Sequence, residues 1–140
     1  MVDKKMSDLE SQNKEIIQTV CKHLNDRNAE GVSAYIADDG HWTINGNPET
    51  FSFAGRYDKA AMSQLLSNFL GSFNKLEFHI LSLTAEDDRV IVEAYSKGLG
   101  KNSRSYENQY LMLYRMKDGK IIEAKEFFDP LAVLAYTSQN

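Results

Sequence analysis

The sequence predicts an α+β fold, helices packed on a curved, mostly antiparallel sheet, and three observations predict it. Apolar residues recur at helical spacing between Ile16 and Ile36 and again between Met62 and Phe73. From Lys75 onward the period falls to two, the signature of strands. An Asp118-Gly119 pair joins the last two alternating runs as a tight hairpin. Helices followed by a run of strands is the order of α+β domains.

Each element follows in turn. Ser7 and Glu10 have capping-box spacing, and Ile16, Ile17, Val20, Cys21 and Leu24 share one face, so the first helix starts at Ser7 and runs to about Arg27. Asn28 caps a second, shorter helix carrying Val32, Tyr35 and Ile36, which Asp38-Asp39-Gly40 ends. The segment from His41 to Asn45 alternates as a strand, with Trp42 and Ile44 on one side. Asn45 to Pro48 is turn chemistry, and Phe51 to Gly55 is an apolar loop or edge. Asp58 caps a third helix with the stripe Met62, Leu65, Leu66, Phe69, Leu70 and Phe73. Strands then follow near Leu76 to Thr84, Val90 to Leu99, Tyr106 to Lys117 and Ile121 to Phe128. Asp129 before Pro130 caps the last turn.

Counting back from a two-residue turn pairs Lys117 with Lys120, Leu113 with Ala124 and Leu111 with Glu126. One face then carries Leu111, Leu113, Ile122, Ala124, Glu126 and Phe128 and is the expected pocket side. The other carries Tyr106, Asn108, Tyr110, Met112 and Tyr114, a composition enriched in subunit interfaces, and is the expected homodimer face.

Composition bounds the function. A chain of 140 residues suits one domain, 1–140, burying roughly 68% of its unfolded surface, with residues 1–6 expected to be flexible. A formal charge of −4 gives no basic footprint, so neither nucleic acid nor an anionic membrane is an expected partner. The single Cys21 excludes an internal disulfide and a thiolate zinc site, and His23, His41 and His79 lack ligand spacing, so no metal is expected. Without a membrane-length apolar run or a leader, and taken as the complete product, the chain reads as cytoplasmic.

The phrases GVSAYIADDGHWTI, FAGRYDKAAMSQLL and YLMLYRMKDGKIIEAKEFFDPLAV span most of the chain. They resemble the signature regions of nuclear-transport-factor-2-like proteins, especially the SnoaL-like polyketide-cyclase and ketosteroid-isomerase-like branches. The last phrase is also similar to the final hairpin of limonene-epoxide hydrolases. The resemblance implies a cone-shaped fold enclosing an apolar pocket for a small organic ligand, used without a cofactor. Laid onto this chain, the catalytic places of ketosteroid isomerases fall near Val20, Ile44 and Leu111, none of which can do that work. Of the epoxide-hydrolase set only the acid of the last strand survives, as Glu126; its arginine and second acid correspond to Ala94 and Ser96. In polyketide cyclases an acid in this strand shuttles a proton, a role that Glu126 could fill alone.

Glu126 is therefore the candidate acid or base, raised in pKa by apolar neighbours, or else a structural carboxylate paired with Arg56, Arg115 or a backbone donor. Trp42, Ile44, Leu111, Leu113 and Phe128 are expected to wall the pocket, Ser96 to offer it a hydroxyl, and Tyr57 to stand at its mouth by the resemblance. The function expected is binding of a small apolar carbonyl or cyclic compound, with isomerase- or cyclase-type proton transfer. The alternatives are a non-catalytic ligand-binding or dimerisation module and a scaffold that binds proteins through its sheet.

Overall fold

A computed structural model describes residues 4–138. Its elements are α1 (Lys4–Asn25), α2 (Ala29–Ser33), β1 (Ile36–Ile44), β2 (Gly55–Asp58), α3 (Lys59–Gly71), β3 (Phe73–Glu86), β4 (Arg89–Gly100), β5 (Ser105–Lys117), β6 (Lys120–Phe128) and α4 (Pro130–Thr137). The six strands form one sheet in the order β2-β1-β6-β5-β4-β3. Only the β1–β6 pair is parallel, so the mostly antiparallel α+β architecture is as expected.

α1 begins upstream of Ser7, which lies inside the helix rather than at its cap. Lys4 to Met6 are good helix formers and carry the backbone ladder past the anticipated start. Glu10 accepts instead from the Asp87 amide in the β3–β4 turn, at 3.2 Å. The expectation for residues 1–6 lies, for residues 1–3, outside the described residues. Ile17, Val20, Cys21 and Leu24 are buried, as the stripe predicts.

Asn28 caps α2 by accepting from Gly31 N at 2.9 Å, yet the helix stops at Ser33. Tyr35 and Ile36, expected in the helix, lead into β1, and Asp38-Asp39-Gly40 lies within that strand rather than ending a helix. Ile36 is completed as a strand residue by pairing with Ile121, whose amide donates to Tyr35 O at 2.7 Å. A register shift between Ile36 and His41 bends β1 there, and a Cβ on Gly40 would sit 2.7 Å from Ile121 O, closer than a side chain can approach. Asp58 caps α3 through Ala61 N at 2.8 Å and Asp129 caps α4 through Leu131 N at 2.9 Å, both as expected.

The β5–β6 hairpin turns on Asp118 and Gly119, both with positive φ, and Lys117 pairs with Lys120 as the turn predicts. The register then slips. Met116 pairs with Ile121 but Arg115 with Glu123, so Ile122 is an extra residue in β6 and every later pair moves by one. Tyr114 lies opposite Ala124, Met112 opposite Glu126, and Tyr110 opposite Phe128.

This bulge overturns the two faces drawn from the sequence. Tyr106, Asn108, Met112 and Tyr114 are buried against the helices, with Tyr110 half-buried beside them. Their face, expected to form a homodimer, is filled from within the same chain. Leu111 is half exposed, and Leu113 lies beside it on the outer face between Ile91 and Lys125. That outer face also exposes Ile91 and Phe127. The inner face, roofed by α1, α3 and α4, holds the core, with Trp42 packed edge-on to Tyr114 at 5.6 Å. No helix of the described residues is long and apolar enough to cross a membrane.

Candidate functional site

Between the inner face of the sheet and α3 and α4 lies a cavity of about 400 Å³. Its apolar walls come from α3 (Met62, Leu65, Leu66, Phe69), from the loop before β2 (Phe51, Phe53), and from Phe78, Phe128, Val133 and Tyr136. The size and lining are those of a site for a small organic molecule. Trp42 and Ile44 point into it because β1 alternates, and Ser96 does so from β4.

Glu126 is the one acidic or basic side chain in this lining. Its Oε1 accepts from Trp42 Nε1 at 3.1 Å, which is its single hydrogen bond among the described residues. Burial pushes the carboxyl up to about 7, and the indole N–H, which favours the anion, offsets only part of that rise. Among the described residues no cation pairs with it. Arg56 reaches Glu123 at 3.5 Å and Arg115 reaches Asp88 at 3.7 Å, both on the outside of the sheet. Glu126 therefore exchanges its proton near neutral pH in an apolar chamber, where a carboxyl can give or take one.

A second polar feature crosses the chamber wall. Ser96 Oγ and Tyr110 Oη lie 2.9 Å apart, and Tyr110 Oη and Tyr106 Oη also lie 2.9 Å apart. Asn108 Nδ2 donates to Tyr106 Oη at 2.8 Å. Burial raises the pKa of Tyr106 to about 12 and that of Tyr110 well above its ordinary value, so both phenols stay protonated at neutral pH.

Of the residues anticipated from the sequence, Glu126, Trp42, Ile44, Ser96 and Phe128 meet in the cavity. Leu111 and Leu113 do not, because the bulge in β6 puts them across the sheet. Tyr57 is absent from the lining as well, and its hydroxyl donates to Phe53 O at 2.7 Å and holds the loop before β2. Tyr106 and Tyr110 stand on the cavity side of the sheet, not on the expected outer face. Their alternation with Asn108, Met112 and Tyr114 was visible in the sequence, but which face it occupied depended on the slip at Ile122. Val133 and Tyr136 join the lining because α4 runs over Pro130–Thr137 rather than making the single expected turn. Among the described residues no three His, Cys, Asp or Glu side chains converge on a metal position.

Residues 17–124 match the family model of the SnoaL-like domain, a stretch that ends two residues before Glu126. UPF0523 protein C of Dictyostelium discoideum is 24% identical over 106 residues, covering 74% of this chain and 68% of its own. A solved structure from Jannaschia sp. CCS1, provisionally assigned as a SnoaL-like polyketide cyclase, superposes with a TM-score of 0.76 at 18% identity, over 94% of this chain and 95% of its own. An epoxide hydrolase of M. tuberculosis gives 0.72 at 16% identity, over 90% and 89%. At these identities the two structures share the fold.

Proposed function

The chain belongs to the SnoaL-like domain family, and on that premise we propose that it holds a small apolar carbonyl or cyclic compound in the cavity and moves a proton on it with Glu126. The observation that carries this reading is the isolation of the carboxyl: it is buried, it has no cationic partner among the described residues, and burial pushes its pKa up to about 7. At neutral pH both protonation states are populated, as one group that removes and later returns a proton requires. The carboxylate would take a proton from carbon next to a carbonyl, and the resulting acid would return it to the same framework. The structural neighbours bearing cyclase and epoxide-hydrolase names are compatible with chemistry in this chamber. The hydrolase route is the weaker analogy, since Ala94 and Ser96 stand where the sequence comparison places its arginine and second acid.

That scarcity of charged groups also favours a second reading, in which the cavity binds its compound without changing it. One experiment separates the two. Deuterium exchange at the carbon next to the carbonyl of 1-tetralone, followed by NMR in D2O, is expected to be faster with the native chain than with Glu126→Gln. Equal rates, with the compound bound in both, would leave the binding reading and remove the catalytic one.

A further inference from the structure

The hydroxyls of Ser96, Tyr110 and Tyr106 form a chain whose donors outnumber its internal acceptor contacts. Asn108 sets the chain's direction. Its Oδ1 accepts from two backbone amides, Gln109 N at 2.8 Å and Asp129 N at 2.9 Å, so the NH2 end must face the other way. That end donates to Tyr106 Oη at 2.8 Å and to Asp129 O at 3.0 Å. Tyr106 oxygen thus receives a proton it cannot return, and its own O–H must point elsewhere. Tyr110 lies 2.9 Å away on one side, and Ser96 lies 2.9 Å beyond it.

Three hydroxyl protons share two oxygen–oxygen contacts, and no other described group accepts from these three residues. One donor is left over, inside a cavity wall where Ser96 and Tyr106 are almost wholly buried. A buried donor without a partner is among the least tolerated features of a folded chain, less so than an acceptor with a vacant lone pair. Tyr110 is the middle member, the only one in contact with both others. If Tyr106 and Ser96 both donate to it, its oxygen is polarised twice and its own proton is the one left for the cavity. Tyr110 pairs with Phe128 and is the diagonal neighbour of Glu126, a separation of about 7 Å between side-chain origins.

We propose that Tyr110 is the ligand-facing hydrogen-bond donor of the cavity, and that the compound held there carries an acceptor oxygen, as a neutral ring ketone does. The proposal rests on the cavity reading above and deepens it. The aromatic rings of Phe78 and Phe128 lie 5.4 Å and 6.0 Å from the Tyr110 ring and line the same cavity. A hydrocarbon of the same shape would fill the space and leave the donor unpaired.

Calorimetric titration of the purified chain with 1-tetralone and with tetralin, its counterpart lacking the oxygen, tests this. The native chain should bind the ketone about tenfold more tightly, and Tyr110→Phe should remove that preference by weakening ketone binding about tenfold while leaving tetralin unchanged. Ser96→Ala, which deletes one of the two donors to Tyr110, should weaken the ketone by roughly threefold. Equal affinities in the native chain, or parallel loss of both compounds in Tyr110→Phe, would overturn the proposal while tetralin binding kept the cavity reading intact. If neither compound binds, the cavity reading itself falls and the proposal with it.

Discussion

Trp42 Nε1 donates to Glu126 Oε1 at 3.1 Å across the parallel β1–β6 pair, where Trp42 is opposite Ala124 and Ile44 is opposite Glu126. The bond joins the only tryptophan of the chain to the titrating group of the cavity. The indole therefore reports the state of the carboxyl. Tryptophan emission is expected to change with a midpoint near pH 7 in the native chain, and a pH titration of Glu126→Gln should show no such step. A native titration that is flat between pH 5 and 9 would contradict the assigned environment.

The same raised pKa sets a stability trend. Burial pushes the folded carboxyl up to about 7 while the unfolded one keeps its ordinary value of 4.5, so the folded state binds the extra proton between these values. Stability should consequently be highest below about pH 4.5, as far as this group is concerned, and fall as pH rises to about 7 before levelling. The whole change is roughly 3 kcal/mol. Glu126→Gln should abolish this component and be more stable than the native chain at pH 8, with little difference at pH 4.5, as chemical denaturation at the two pH values would measure.

The assignment of sheet faces is open to mutation. Tyr114 is fully buried, so Tyr114→Ala should cost about 3–5 kcal/mol. Leu111 is half exposed, and Leu111→Thr should stay within about 0.5 kcal/mol of the native chain. The reverse order of the two costs in urea denaturation would restore the register that the turn alone predicts.

α3 forms one wall of the cavity, and its start depends on Asp58, whose side chain accepts from Ala61 N at 2.8 Å. Asp58→Ala should destabilise the fold by about 1 kcal/mol, and Asp58→Asn should recover most of the loss because an amide oxygen can accept the same bond. Thermal melts of the two variants would show whether the cap acts this way.

Much of the architecture was legible in the residues themselves. Periodicity marked α1, α3 and the four-strand meander, Asp118-Gly119 marked the hairpin, and Asn28, Asp58 and Asp129 marked three helix starts, because all of these depend on neighbours within a few positions. Alternation also put Trp42 and Ile44 on one face, and alternation together with the family resemblance singled out Glu126, Ser96 and Phe128. Local signals failed where a long-range pairing prevailed. Tyr35 to Gly40 carries helix-ending residues, but pairing with Ile121 draws Ile36 into the sheet.

The cavity with its single carboxyl shows the division clearly. Residue order alone puts an acid two residues from Ala124 and two from Phe128 on one side of the last strand, since side chains alternate along a strand. Which partners share that side depends on the long-range register of the hairpin. One extra residue at Ile122 shifts the hairpin by one place, and a one-residue shift exchanges the facing side chains completely. It moved Glu126 from the company of Leu111 and Leu113 to that of Met112 and Tyr110, and so placed a hydroxyl chain in the same chamber as the acid.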